Sequence, residues 1–346
     1  ITNSTGAGNV AVGTYALQAN TTASNNSALG YNALNANTTG SENTAVGRGA
    51  LDTNTTGSNN TSIGYLALTA NTTANDNVAV GFRTMDANTT GAENTAVGTY
   101  ALENNTTMGY NTAVGYKALE ANVSGQLNTA VGYSCLKAAN VDGYNTGVGA
   151  NCMESLTTGS YNVALGRSAM NAATTGSYNT VVGQGANGTG VLTGDYNVCL
   201  GHNAGIILTS GYRNTFIGGA AGDSCATGYR NTCVGNIAGE TIGSGNNCLI
   251  LGYNAQSSAG DSQNQITLGD ANISYFRCNV QTINALSDGR DKTDVVDLPL
   301  GVDFINKLRP VKFKWDRRTP DETNGKVRAG FIAQDLQEAQ KGSEFM

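Results

Sequence analysis

The sequence predicts a mostly β protein: a parallel β-solenoid, or β-roll, of 17-residue coils packed as a homotrimer, followed by a small α+β C-terminal domain. Three observations carry that prediction. A glycine recurs at a fixed interval, small and aliphatic residues hold fixed places around it, and the charge content changes abruptly after residue 286.

The glycine of "AVG" stands at 13, 30, 47, 64, 81, 98, 115, 132, 149, 166 and 183, then after one 18-residue step at 201, 218, 235, 252 and 269, which makes sixteen coils. The residue before it is always Val, Leu or Ile, as at Val12, Leu29, Val46 and Ile63. Two places earlier stands Thr or an aliphatic, such as Thr44, Thr112, Val78 or Val163. Residues two apart share one face of a strand, so this pair is expected to point inward. Four residues before the glycine is Asn in the first fourteen coils, from Asn9 to Asn231, replaced by Cys248 and Gln265 in the last two. Stacked at one rung spacing of about 4.8 Å, these amides can bond up and down a ladder. The glycine itself suits a corner that needs positive φ or no Cβ.

A second inward column follows four residues after the glycine, running through Leu17, Leu34, Leu51, Leu68, Met85, Leu102, Leu119, Leu136, Met153 and Met170. It then becomes Asn187, Gly205, Gly222 and Gly239, which predicts a changed cross-section near residues 184 to 205. Seventeen residues have a contour of about 56 Å, enough for two or three short strands with their corners, and sixteen coils make a shaft of about 75 Å. So few large apolar side chains per coil make a thin core. Three chains around one axis would bury the small Ala column (Ala11, Ala45, Ala113) and remove open edges.

Composition narrows the function. The formal net charge is −6 with no basic stripe, which argues against nucleic acid. No apolar run approaches the roughly 18 residues of a membrane span, so no membrane insertion is expected. The chain opens at Ile1 without a methionine, as a fragment would. Seven cysteines show no CxxC spacing, so no metal or other cofactor is expected and buried free thiols are the favoured reading. Cys135 and Cys152 share a column one repeat apart and could bridge only at disulfide geometry.

Before Ser287 there are 8 Lys or Arg and 14 Asp or Glu; the last 60 residues hold 11 and 11. All three prolines and the only tryptophan, Trp315, lie in that second part. It contains "SDGRDKTDVVDL" (287–298), "FINKLRPVKFKWD" (304–316) and "GFIAQDLQEA" (330–339). These motifs, in this order, resemble the intramolecular chaperone and auto-processing domain at the C-terminus of phage tail spikes and fibres, including endosialidases. The resemblance implies a module that helps three chains fold into a β-rich fibre and then cuts itself off. It places the cut at Leu286-Ser287, with Ser287 acting together with Lys292. The chemistry is sound, since a lysine of depressed pKa can take the proton of a serine hydroxyl where no histidine is near. Ser-Asp is also good helix-capping chemistry, and Asp288 and Arg290 could be solvated turn charges. The family usually continues into further helices, so the module here is expected to be truncated. The coil "NTAVGYKAL" (111–119) resembles, loosely, the head repeats of trimeric autotransporter adhesins, which form a parallel β-roll of shorter repeats.

Tyr144, Tyr161, Tyr178 and Tyr196 stand five residues before their glycines, then a Tyr-Arg pair appears at Tyr212-Arg213 and Tyr229-Arg230. Stacked rings could bind sugars, although a packing ladder is the commoner use of such a column. "NTTG" segments (37–40, 54–57, 88–91) read as corner turns whose adjacent threonines cannot share a face. The only histidine, His202, reads as a surface residue. The acids Glu42, Asp52, Asp76, Glu93 and Glu154 read as scattered, against a polysaccharide-degrading enzyme, which needs paired carboxylates.

The organisation is therefore 1–185 shaft, 186–270 shaft with the altered coil, 271–286 neck and 287–346 chaperone domain. The expected function is a virion tail fibre or spike that attaches to a host receptor or glycan. The competing reading is a cell-surface adhesin without proteolysis.

Overall fold

The computed structural model describes residues 4–138, 143–275, 277, 308–314, 327–333, 335 and 338. The chain divides into two compact units, Ile1–Tyr275 and Phe276–Met346. The first is a β-solenoid. Its strands, each three residues long, run from β1 (Val10–Val12) to β16 (Ile266–Leu268) and form one sixteen-stranded parallel sheet in sequence order. Equivalent residues pair rung to rung, as in Thr44↔Thr61 and Val46↔Ile63, and the 18-residue step is absorbed between β11 (Thr180–Val182) and β12 (Val198–Leu200) without losing register.

Each coil carries one strand where two or three were expected. The remainder is broken by left-handed residues at three places per coil, for example Leu66 (φ 51), Leu68 (φ 51) and Asp76 (φ 59). A residue at that φ cannot continue a strand. The turns are still bonded to the neighbouring coil, as in Leu34 N–H to Ala50 O (3.0 Å), so their backbone groups are satisfied as in a sheet. The glycine corners lie near φ +133 to +141 through most of the shaft, as at Gly47 (φ 137) and Gly115 (φ 133). A Cβ on Gly47 would run into the backbone of Gly64, so the recurrence of glycine every 17 residues answers both a φ and a contact requirement.

The strand faces are the reverse of the expectation. In β3 (Thr44–Val46) the central Ala45 is fully buried, while Thr44 and Val46 are half-buried on the outside. The same alternation holds along the sheet. Ala113 also lies in the chain's own core, not at an inter-chain axis. The reason is the width of the coil. The Leu and Met column from Leu17 to Met170 fills the interior, as expected, and leaves room opposite only for a small strand-centre residue.

Where the Leu column fails, the strand centre grows. Asn187, Gly205, Gly222 and Gly239 face Val181, Cys199, Phe216, Cys233 and Ile250, all fully buried. A Cβ on Gly222 would stand 2.6 Å from the Phe216 ring, and one on Gly205 would stand 3.0 Å from both Cys199 Sγ and Phe216. Volume is exchanged between two walls of one core.

Two asparagine ladders run through the interior. In the one that was expected, Asn26 Oδ1 accepts from the Asn43 backbone N–H (2.9 Å) and Asn26 Nδ2 donates to Gly40 O (2.9 Å). The other runs through the first residue of the NTT segments. Asn54 Nδ2 donates to Asn37 Oδ1 (2.9 Å) and Gly57 O (2.9 Å), and Asn71 Nδ2 donates to Asn54 Oδ1 (2.8 Å). The NTTG corners are thus turns, as expected, each locked by a buried amide.

In the second unit, β17 (Val311–Lys314) pairs antiparallel with β18 (Val327–Gly330), Val311 opposite Gly330 and Lys314 opposite Val327.

Candidate functional site

Three places in the chain carry candidate chemistry: the start of the charged segment, the tyrosine column and the charged corners of the shaft. Leu286, Ser287, Asp288, Arg290 and Lys292 lie outside the described residues. Beyond them, Arg309 in "LRPVKFKW" donates from Nη2 (2.9 Å) and Nε (3.2 Å) to Asp335 Oδ2 in "GFIAQDL". With the β17–β18 ladder, this joins the second and third motifs into one small β unit, which periodicity could not have paired.

Tyr144, Tyr161, Tyr178 and Tyr196 all occupy the left-handed corner at φ 58 to 61 and are about half exposed. Their rings stack face to face at 4.7, 5.0 and 4.9 Å, one rung apart. The Arg213 guanidinium lies 6.0 Å from the Tyr196 ring centre. A sugar stacks on a free aromatic face, and the faces within this column are taken by neighbouring tyrosines. What solvent meets is a strip of ring edges and hydroxyls. A second run, Tyr65, Phe82, Tyr100, Tyr116 and Tyr133, is stacked at its two ends and edge-on through Tyr100, at 5.2 to 6.1 Å, and is threaded by Lys117, whose Nζ is 5.6 Å from two rings.

The acids read above as scattered fall into two columns, although Asp195, Asp261 and Asp270 stand outside both. Glu42, Asp76 and Glu93 share the left-handed corner at φ 59 to 61. Asp52, Asp86, Glu103, Glu120 and Glu154 lie five residues after their glycines. Three acids of this second column are neutralised by lysine and arginine: Arg83 pairs with Asp86 (2.7 Å) and Glu103 (3.3 Å), and Lys117 with Glu120 (2.8 Å). Burial raises the Glu103 carboxyl above its ordinary value, against a lowering by Arg83. Such pairs are structural, not the free acid and base of a glycosidase.

Among the described residues six cysteines are free and buried. The Cys152 thiol is raised by its hydrogen bond with Cys135 and by burial, and Cys199, Cys225 and Cys233 are pushed up to about 12 chiefly by burial. Thiols held so far from ionisation are poor nucleophiles and poor ligands. Among the described residues no group of His, Cys, Asp or Glu could hold a metal, and no helix is long and apolar enough to cross a membrane. His202 is exposed.

Residues 287–343 match the peptidase family described as chaperone of endosialidase. The match covers 57 of 346 residues and all three motifs of the charged segment. No curated protein and no solved structure matches the chain. A parallel β-solenoid followed by this module fits a tail fibre or spike with an intramolecular chaperone at its C-terminal end, and the family is one of self-cleaving chaperones.

Proposed function

We propose that this chain is the shaft and terminal chaperone of a homotrimeric phage tail fibre or spike that attaches the virion to a host surface. In this reading residues 1–185 and 186–270 are two shaft segments, 271–286 a neck and 287–346 the chaperone. The observation that carries it is a coincidence of boundaries. The family match begins at residue 287, the residue that the motif names as first after a cut, and it follows a shaft whose last strand ends at Leu268.

Cleavage is the finer step. The Ser287 hydroxyl attacks the carbonyl carbon of Leu286 while the Lys292 amine accepts its proton. The Leu286–Ser287 amide breaks as Lys292 returns the proton to the Ser287 α-amino group, leaving an ester between the Leu286 carbonyl and Ser287 Oγ; water hydrolyses that ester, giving a carboxylate on Leu286 and restoring the Ser287 hydroxyl. Denaturing gels of the whole chain test this. Wild type is expected to give a shaft band and a module band, and Ser287→Ala or Lys292→Ala a single full-length band. A single full-length wild-type band, unchanged in Ser287→Ala, overturns the cleavage reading. For the receptor, the Tyr144, Tyr161, Tyr178 and Tyr196 strip offers hydroxyls and ring edges at a fixed repeat, which suits a carbohydrate approached from the side.

A further inference from the structure

We propose that the outward face of the sixteen-stranded sheet is the surface on which the chains of the fibre pack against one another. The proposal takes the multi-chain fibre as its premise and names the contact that makes it. The face consists of the first and third residue of every strand. The first column reads Val10, Ser27, Thr44, Thr61, Val78, Thr95 and so on to Leu249 and Ile266; the third reads Val12, Leu29, Val46, Ile63 and so on to Leu251 and Leu268. Across the thirty-two positions there is no charged residue, and the third column is Val, Leu or Ile throughout. None of them is buried within the chain: Val12 is 56% exposed, Leu29 50%, Ile63 39% and Leu165 37%.

A sheet face that meets water is ordinarily polar, whereas here only the first column is, with Thr or Ser at ten of its sixteen places, and neither column carries charge. Charge is present in the shaft, but at other columns, in the Asp52, Asp86, Glu103, Glu120 and Glu154 corner with Arg83 and Lys117 beside it. Its avoidance of one face over sixteen rungs marks that face as a contact surface. The size is sufficient. Three residues across and sixteen rungs along give about 10 by 77 Å, or roughly 770 Å² per chain; divided between two neighbours this is about 385 Å² to each contact, and the three chains together bury about 2,300 Å², above the roughly 1,600 Å² total of a standard interface. The β-branched residues that dominate both columns are stiff at χ1, so little rotamer freedom is lost on contact.

The identity of the partner follows from periodicity. A surface that repeats every rung for about 75 Å is matched along its whole length only by another surface of the same repeat, and further copies of this chain supply one with the same uncharged columns. Turned to a common axis, the third column of one chain meets the first column of the next. The Ala column takes no part, since each chain already buries it in its own core, with only Ala11 on the first rung left partly exposed.

Sedimentation of the full chain tests the assignment, with Val80→Asp/Val114→Asp on the face and Val123→Asp as control. Val123 is 46% exposed and lies outside the sheet. Wild type and control are expected at three times the chain mass, and the face variant at one times, with the far-ultraviolet β signal unchanged. A face variant that stays trimeric overturns the face while leaving the fibre reading standing. A monomeric wild type overturns both. Should the aspartates unfold the chain, maleimide labelling of Val114→Cys and Val123→Cys decides, read by peptide mass. At least tenfold slower labelling at 114 is expected, and equal rates overturn the proposal.

Discussion

At the scale of single residues, the shaft depends on side chains doing what their type ordinarily avoids. Among the described residues thirty-nine non-glycines have positive φ, including Leu34, Leu51, Leu68 and Leu102 at φ 51 to 53. Left-handed backbone costs an L-residue roughly 1–2 kcal/mol, while burying a leucine side chain gains about 1.5–3 kcal/mol. The gain covers the strain only because each leucine is fully buried. No propensity rule finds such positions, and a bulky residue in the left-handed region has no local signature. The asparagines were half legible. Asn9 through Asn231 announce a ladder by period alone, but Asn20, Asn37, Asn54, Asn71, Asn88 and Asn105 were hidden by the turn chemistry of Asn-Thr-Thr, and Asn122 by that of Asn-Val-Ser. Asn54 shows what they do, giving two hydrogen bonds and receiving one inside a buried column. Asn54→Ala is expected to destabilise the shaft by about 1–3 kcal/mol, because buried partners are left unmade. Denaturant unfolding measures this, and a change below about 0.5 kcal/mol would show that the second ladder is incidental.

At the scale of the element, a three-residue strand is too short for its period-two pattern to say which face is inward. Val and Thr two apart were expected inside because they recur together on one strand face with a period of two. The coil allows the opposite, since its interior is already filled from the Leu column and accepts one small residue per strand. The exchange in the later coils tests this account. Gly222 has φ 61, which Leu51 and its equivalents tolerate at the same place, so the backbone does not forbid leucine there. The Phe216 ring does. Gly222→Leu is therefore expected to destabilise by about 1–3 kcal/mol through overpacking, and Phe216→Ala by about 3–5 kcal/mol through a cavity. Together they rebuild the small-centre, large-corner arrangement of the earlier coils. The double variant should be more stable than the sum of the two losses by about 1–3 kcal/mol, and strict additivity in the double-mutant cycle would refute the volume exchange.

At the scale of the whole molecule, the shaft was the most legible part, because sixteen repetitions average out local ambiguity. A single coil says little; a glycine in the same place every 17 residues fixes the rungs whatever each rung does. The charged module was legible as a resemblance but not as geometry. The contact that joins two of its motifs, Arg309 with Asp335, spans residues with no shared period. For the shaft, repetition makes a further statement: stability is a sum of coil and neighbour contributions, so only whole coils can be removed cleanly. Excising residues 48–64 joins Gly47 to Tyr65 and returns every later residue to its column, with both asparagine ladders and the Leu column continuous across the junction. That deletion is expected to leave the β signal per residue and a single cooperative transition, with the melting temperature lower by a few degrees. Excising 48–56 removes nine residues and leaves eight, about 26 Å of contour at about 3.3 Å each, where a rung needs about 56 Å. The stack must break there, and calorimetry should record two transitions or a clearly lower one. If the nine-residue deletion melts like the seventeen-residue one, the coils are not the units by which this shaft holds together.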